Sequence, residues 1–251
     1  MNYSCGYWKN ATNLERAQLN KMDLIARKLK LTPGMRVLDI GCGWGGLCKY
    51  LAQNYGVHVV GVTISTEGAK YARELCKGFD VEIRLQDYRD VNEEFDRIVS
   101  VGMFEHVGQK NYREYFQVVQ RCLVKHGIFL LHTIGHDHDM PRTEPWLTTY
   151  IFPNGILPNH KDIPNSIDNL FTIEDWHNFG ADYDKTLMAW YEKFVKNWPS
   201  ISNQFENPDR FFRLWTYYLT FCAGYYRARK SQLWQIVLSN KGIPHGYESV
   251  R

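Results

Sequence analysis

Ten consecutive residues, Val37-Leu38-Asp39-Ile40-Gly41-Cys42-Gly43-Trp44-Gly45-Gly46, carry the most specific chemistry in this chain. An apolar run holds an acid near its end, and four glycines fall within the next six positions. Glycine tolerates the left-handed backbone of a tight turn and lets bare main chain approach a ligand. The string therefore reads as a buried strand turning into a helix against a nucleotide-like cofactor. An ordinary tight turn is the competing reading. A dinucleotide site needs Gly-x-Gly-x-x-Gly and then an acid about 20 residues on for the ribose. Here a third glycine comes one residue early, at Gly45, with Gly46 beside it, and Thr63 stands where that acid belongs. Nicotinamide binding is disfavoured.

Other potential ligand sets are weaker. His136-Asp137-His138-Asp139 has metal-binding residue types, but its spacing on a proline-flanked loop fits no standard zinc pattern and reads as a solvated loop. The six cysteines lack paired spacing and read as reduced thiols. No metal site is expected.

Composition narrows the classes. Of 251 residues, 44% are hydrophobic and 23% charged, ordinary values for a globular domain with a substantial core. A net charge of +3 is too mild for a nucleic-acid partner, yet compatible with an anionic membrane surface. The start, Met1 to Cys5, lacks the basic and apolar regions of a signal peptide. No apolar run approaches the ~20 residues of a membrane-spanning helix.

The elements that must position the glycine turn follow from hydrophobic periodicity. Helices are expected over 13–29, 47–55, 66–77 (with Ser65 as N-cap) and 112–123. Strands are expected over 36–40, 57–62, 81–85, 95–101, 127–133 and, alternating and apolar, 231–239. Strand and helix in repeated succession make an α/β fold with a doubly wound, mostly parallel sheet. Before the last strand lie roughly a hundred residues, far more than one crossover needs. Residues 136–168, with Pro141, Pro145, Pro153, Pro158 and Pro164, read as an irregular covering loop; 184–229 read as helical and rich in aromatic residues. Together they make a lid, or alternatively a helical prop for the sheet. The whole chain, 1–251, is then one domain, with sheet core about 30–135, 170–182 and 231–240 and lid insertions about 136–168 and 184–229.

The glycine string resembles the first motif of S-adenosylmethionine-dependent methyltransferases, whose ligand has no pyrophosphate for a helix N-terminus to hold. Further segments resemble bacterial cyclopropane fatty acid synthases and are similar to mycolic acid cyclopropane synthases. They are Tyr3-Ser4-Cys5-Gly6-Tyr7-Trp8, Gly61-Val62-Thr63-Ile64-Ser65, Gln86-Asp87-Tyr88-Arg89-Asp90, Met103-Phe104-Glu105-His106-Val107-Gly108, Leu131-His132-Thr133-Ile134-Gly135, Tyr150-Ile151-Phe152-Pro153-Asn154-Gly155 and Asn178-Phe179-Gly180-Ala181-Asp182-Tyr183. The likeness spans essentially the whole chain. It implies a seven-stranded sheet of the class I methyltransferase type with a helical lid insertion. It also implies an enzyme that uses S-adenosylmethionine to add a methylene across the cis double bond of an unsaturated phospholipid acyl chain.

By the same resemblance, attack on the cofactor leaves a carbocation whose proton goes to a bound bicarbonate. Cys5 and Ile134 would hold that anion through backbone groups, Glu105 and His132 through side chains, and Tyr183 through its hydroxyl. Cys222 matches a cysteine described as catalytic in the family, though no step requires a thiolate. A dry, aromatic pocket suits a carbocation, and Trp176, Phe179, Tyr183, Trp190, Tyr217, Tyr218 and Tyr225 are candidates. For the cofactor, Tyr3 and Ser4 would meet the methionine end and Gly41, Cys42, Gly43, Trp44 and Gly45 would form the turn. Asp39 would underpin it, Thr63 would face the ribose, and Asp87 with Tyr88 would frame the adenine. Gly68 departs from the family, whose members commonly place a ribose-binding glutamine there. Bacterial relatives also usually carry a long N-terminal segment linked to lipid binding and dimer contacts. The implied setting is cytoplasmic and peripheral at the inner membrane face, with transient membrane association and a possible homodimer. The rival readings are an amine N-methyltransferase on the same scaffold and a lipid- or cofactor-binding module without catalysis.

Overall fold

The structure is a computed structural model that describes residues 2–138 and 144–251. Met1, Asp139 of the His-Asp-His-Asp run and Pro141 of the covering loop lie outside the described residues. The elements, in order, are α1 (Leu14–Lys28), β1 (Arg36–Ile40), α2 (Gly46–Tyr55), β2 (His58–Thr63), α3 (Thr66–Leu75), β3 (Val81–Leu85), β4 (Phe95–Val101), α4 (Tyr112–Cys122), β5 (Leu123–Gly135), α5 (Pro145–Tyr150), α6 (Asp162–Ile167), β6 (Thr172–Asn178), α7 (Asp182–Ile201), α8 (Pro208–Arg227) and β7 (Gln232–Ser239). They build one seven-stranded sheet in the order β3-β2-β1-β4-β5-β7-β6. The first five strands are parallel, and β7 runs antiparallel between β5 and β6. The chain winds outward from β1 to β3, then returns to start β4 on the other side of β1. That reversal opens a crevice beyond the carboxyl ends of β1 and β4, where α/β sheets bind ligands.

Both faces of the sheet are covered. One face packs on α1, α2 and α3 through Ile25, Leu51, Ala72 and their neighbours. The other packs on α4 and α6 through Tyr115, Phe116, Phe129 and Ile163. Each large side chain buried in such a core contributes about 1.5–3 kcal/mol. Local signals set the helix starts. Asn13 caps α1 by accepting from Arg16 N, and Ser65 caps α3 by accepting from Gly68 N.

The structure refines three expectations. Strand β5 begins at Leu123, four residues earlier than expected, because α4 stops at Cys122 and its next residue is already extended. Its pairing with β4 shifts register between Phe95 and Arg97, so regular pairing runs from Ile128. Strand β7, expected over 231–239, spans Gln232–Ser239 and is buried at all eight of its residues. Trp234, Ile236 and Leu238 enter one core while Val237 enters the opposite one, since both faces of the sheet are covered. The covering loop is not wholly irregular. Pro145 begins α5 and Pro164 sits in the first turn of α6, positions where a missing backbone N–H costs nothing.

Helices α7 and α8 pair as a lid hairpin over the carboxyl edge of the sheet. Their far end is held by ring contacts among Phe194, Trp198, Phe205, Phe211 and Trp215, with Phe205 and Phe211 stacked at 3.9 Å. Much of the aromatic excess noted in the sequence is thus packing within the lid.

Candidate active site

Three of the four glycines after β1 serve distinct purposes. Gly41 has φ +83, and a Cβ there would fall 2.7 Å from Met103 Cγ. Gly45 has φ +77 as the N-cap of α2, and a Cβ would fall 2.9 Å from Ala72 Cβ of α3. Gly43 has φ +54 with open space around its missing side chain. Gly43 therefore faces the ligand space, whereas Gly45 is turned toward helix packing.

That space is a cavity of about 190 Å³ at the sheet crevice. Its wall includes Tyr3, Ser4, Lys21, Asp39, Gly41, Cys42, Gly43, Trp44 and, from the end of β4, Gly102. Asp39 is buried and accepts a bond from Cys48 Sγ at 3.3 Å. Burial pushes its carboxyl up to about 6. Trp44 lines the cavity and lies edge-on to Tyr71.

Lys21 escaped the sequence reading. A signal existed: Leu14, Ala17, Gln18, Lys21, Ile25 and Lys28 form one buried stripe of α1, and a lysine on such a stripe needs a partner. Its Nζ donates to Ser4 Oγ and to Gln18 Oε1, both at 2.7 Å.

Four residues expected at the cofactor lie outside this wall: Gly45, which is turned toward α3, and Thr63, Asp87 and Tyr88. The Thr63 hydroxyl accepts from Ser65 N at 3.2 Å and shapes the turn after β2. The Asp87 carboxylate is engaged by the Arg89 guanidinium and backbone N–H, which lower its pKa. Tyr88 packs edge-on against Tyr115. Gly68 lies beneath the glycine turn, where a Cβ would come within 3.2 Å of the Gly43 carbonyl oxygen.

A second cavity of about 190 Å³ adjoins the first, sharing Tyr3, Ser4 and Gly102 with it. Its wall is mostly carbon, from Leu147, Phe152, Leu157, Phe221 and Leu233 and the rings of Tyr183, Tyr218 and Tyr226. Tyr3 separates the two, stacked on Trp190 at 4.8 Å and donating its hydroxyl to Tyr218 Oη at 2.8 Å.

Among the polar side chains of this wall, Glu105 and His132 each have a buried atom without a hydrogen-bond partner among the described residues. Glu105 follows β4 in a short turn anchored by Phe104, which is buried and stacked on Tyr112 at 4.2 Å. Glu105 Oε1 accepts the Ile134 N–H at 2.7 Å, and Oε2 has no hydrogen-bond partner among the described residues. Burial raises this acid to about 7, against the opposing pull of the Ile134 amide. His132, on the neighbouring strand β5, is equally buried, and its Nε2 is likewise without a partner among the described residues. Gln235 Nε2 lies 3.3 Å from His132 Nδ1. With that amide donating, the imidazole proton belongs on Nε2. Burial and the charges of Lys21 and Lys28 hold the ring neutral.

The structure thus gathers four of the five residues expected around the small anion. Glu105, His132, Ile134 and Tyr183 line the second cavity. Cys5 stands behind them, fully buried and clustered with Ile134 and Tyr183. The Ile134 amide, expected to meet the anion, is bonded to Glu105. Two unpaired groups remain, an uncharged imidazole N–H and an acid close to half-protonated near neutrality. Both can donate to a small anion, and the set fits bicarbonate in that respect. Cys222 also lines the cavity, but burial pushes its thiol up to about 12, so it stays protonated. His136 bonds the His138 carbonyl oxygen, and no group of three or more His, Cys, Asp or Glu among the described residues is gathered for a metal.

Residues 1–236 match the family described as mycolic acid cyclopropane synthetase. Over all 251 residues the chain is 60% identical to cyclopropane-fatty-acyl-phospholipid synthase of Escherichia coli strain K12, and it spans 65% of that relative's length. Among solved structures it is similar to mycolic acid cyclopropane synthase CmaA1 complexed with SAH and CTAB. There the TM-score is 0.87 and the identity 32%, over 95% of this chain and 90% of the other. A coclaurine N-methyltransferase bound to N-methylheliamine and SAH aligns with TM-score 0.80 and 25% identity, over 95% of this chain and 77% of that one.

Proposed function

The chain belongs to the mycolic acid cyclopropane synthetase family, and from that premise we propose that it is the catalytic domain of a cyclopropane-fatty-acyl-phospholipid synthase. Its substrate is the cis double bond of an unsaturated phospholipid acyl chain. The observation that carries this reading is the pair of joined cavities: a polar one at the glycine turn and an apolar one beyond Tyr3, with two buried polar atoms in its wall.

S-adenosylmethionine, when bound at the glycine turn, supplies a sulfonium methyl group. Ser4, Asp39, Gly41, Gly43 and Trp44 would hold it, and the open space at Gly43 is the fit that supports this placement. The remaining work belongs to the second cavity. An alkene is a weak nucleophile, so the walls must align it and exclude water. Phe152, Tyr183, Tyr218 and Tyr226 enclose the space, and their ring faces favour positive charge developing on the acyl chain. Ring closure requires one proton to leave the added carbon. Bicarbonate held by Glu105 and His132 would supply the base for that proton.

The acyl chain must come from a bilayer. The rim of the second cavity carries Tyr217, Phe221 and Tyr225 at four-residue spacing on α8, stacked at 5.4 and 5.8 Å. Exposed Arg213 stands one turn before them. Aromatic rings beside a cation suit the headgroup layer of an anionic membrane, so the domain docks transiently there as a peripheral protein. No described helix is long and apolar enough to cross a membrane.

The test incubates the protein with S-adenosylmethionine and vesicles of mono-unsaturated phospholipid. The expected product has gained one CH₂ in mass, lost its olefinic proton resonances and acquired upfield cyclopropane resonances. Methylation of added amines with unchanged lipid would overturn the proposal in favour of an N-methyltransferase. Cofactor binding without any product would favour a non-catalytic module.

A further inference from the structure

Three polar residues lie abreast on neighbouring strands. His132 of β5 pairs with Gln235 of β7, and Gln235 pairs in turn with His177 of the edge strand β6. Residues directly opposite each other in antiparallel strands share a face. All three side chains therefore point to the side covered by α1, as do Leu130 and Val237, two residues along from His132 and Gln235. Phe179 packs on both histidine rings, its centroid 5.0 Å from His177 and 5.9 Å from His132.

Lys28 of α1 stands at the His177 end of this row and is fully buried. Its Nζ donates to His177 Nδ1 at 3.1 Å and lies 3.5 Å from Asp175 Oδ2. That carboxylate also accepts from Ser249 and Arg251. Burial draws Lys28 down to about 7 against the attraction of Asp175, so its ammonium form prevails on the acid side of neutrality. A buried lysine is costly, and no step described above uses this one. Lys21, earlier on the same helix, is turned instead to Ser4 and Gln18 at the first cavity.

The Gln235 amide, fully buried, can sit in either of two directions. In the structure Nε2 lies 3.3 Å from His132 Nδ1, and Oε1 has no hydrogen-bond partner among the described residues. An unpartnered buried oxygen is unfavourable, so this direction needs a reason. Lys28 supplies one. Its positive charge lies on the His177 side of the amide, where a carbonyl oxygen is attracted and an NH₂ group repelled. Reversed, the amide would accept from His132 Nδ1 and leave an Nε2 lone pair facing the second cavity, unable to donate to an anion.

We propose that Lys28 is a positioning residue for the anion site: its charge orients the Gln235 amide, which in turn fixes the His132 proton on Nε2, the nitrogen offered to the cavity. The inference rests on the reading of His132 as a donor to bicarbonate and deepens it by naming what sets the donor.

¹⁵N spectra of the His132 ring test the orientation, recorded at about pH 6, where an amine of pKa about 7 is mostly charged. The wild-type ring is expected to carry its proton on Nε2 and none on Nδ1. Lys28→Met is expected to give a mixture of the two tautomers and to keep S-adenosylhomocysteine affinity. Its turnover on vesicles of mono-unsaturated phospholipid should fall about 10- to 100-fold. A Lys28→Met protein with wild-type ring resonances overturns the proposal, as does a wild-type ring protonated at Nδ1. A shifted tautomer with undiminished turnover removes instead the anion role of His132, which separates failure of that reading from failure of the orientation. Should Lys28→Met not fold, Lys28→Gln, which offers His177 an amide donor without a charge, is read by the same criteria.

Discussion

Glu105 and His132 come from neighbouring strand ends and each leaves one buried polar atom, Oε2 and Nε2, open to the same apolar cavity. The other carboxylate oxygen is tied to the Ile134 amide and the other ring nitrogen to Gln235. Each side chain is therefore held at one end and presented at the other. Such an arrangement favours binding over stability.

Glu105→Gln should stabilise the fold in a pH-dependent way. The acid's pKa is raised from 4.5 to about 7 by burial. Its favourable contribution is therefore complete below about 4.5 and is lost as pH rises through about 7. Glutamine keeps the bond from Ile134 and never ionises. Calorimetric melting should show no advantage for the variant at acid pH and a growing one towards neutrality, up to about 3 kcal/mol. Turnover should fall by orders of magnitude while S-adenosylhomocysteine affinity stays unchanged. Parallel melting curves at all pH values would refute the buried, unpaired carboxylate.

Gln235→Leu should release the tautomer of His132. The Gln235 amide is fully buried and lies 3.3 Å from Nδ1. Without it the proton is free to move to Nδ1. The ¹⁵N resonances of His132 should shift from one dominant tautomer towards a mixture, with turnover down about 10- to 100-fold, the range seen when histidine-orienting partners are removed. An unchanged ring spectrum would show that Gln235 does not orient the proton.

Two glycines should separate by function. Gly43→Ala meets open space and bears only the left-handed backbone penalty, about 1 kcal/mol. S-adenosylhomocysteine affinity should nevertheless fall more than tenfold. Gly45→Ala presses on Ala72 and should lower the melting temperature further. Titration of both variants, alongside thermal melts, checks the assignment. Equal affinity losses with equal melting points would contradict it.

Cys222→Ser should retain most of the turnover. Burial keeps the thiol protonated, its pKa pushed up to about 12, so no thiolate is ready for covalent chemistry. Maleimide labelling of the wild-type protein at neutral pH should be slow at this position. Loss of activity in the serine variant, with its fold intact, would restore a catalytic part for this residue.

Much of the fold is legible locally. The strand-glycine-helix string around Asp39 and the capping role of Ser65 depend on near neighbours in the chain, and both are found where the residues indicate. The early start of β5 and the full burial of β7 are different. They depend on which strands lie alongside, and no periodicity within 123–135 or 232–239 contains that information.

For the site the division falls at burial. The residue types alone marked the glycine turn, because positive φ and a missing Cβ are properties of glycine itself. Glu105, His132 and Tyr183 were named through family likeness, but their meeting in one apolar cavity is a product of strand adjacency and the lid. Lys21, Gln235 and the true surroundings of Thr63 and Asp87 were decided only by the tertiary structure. A polar side chain's role is set by whether water or protein satisfies it, and that depends on elements packing from distant parts of the chain.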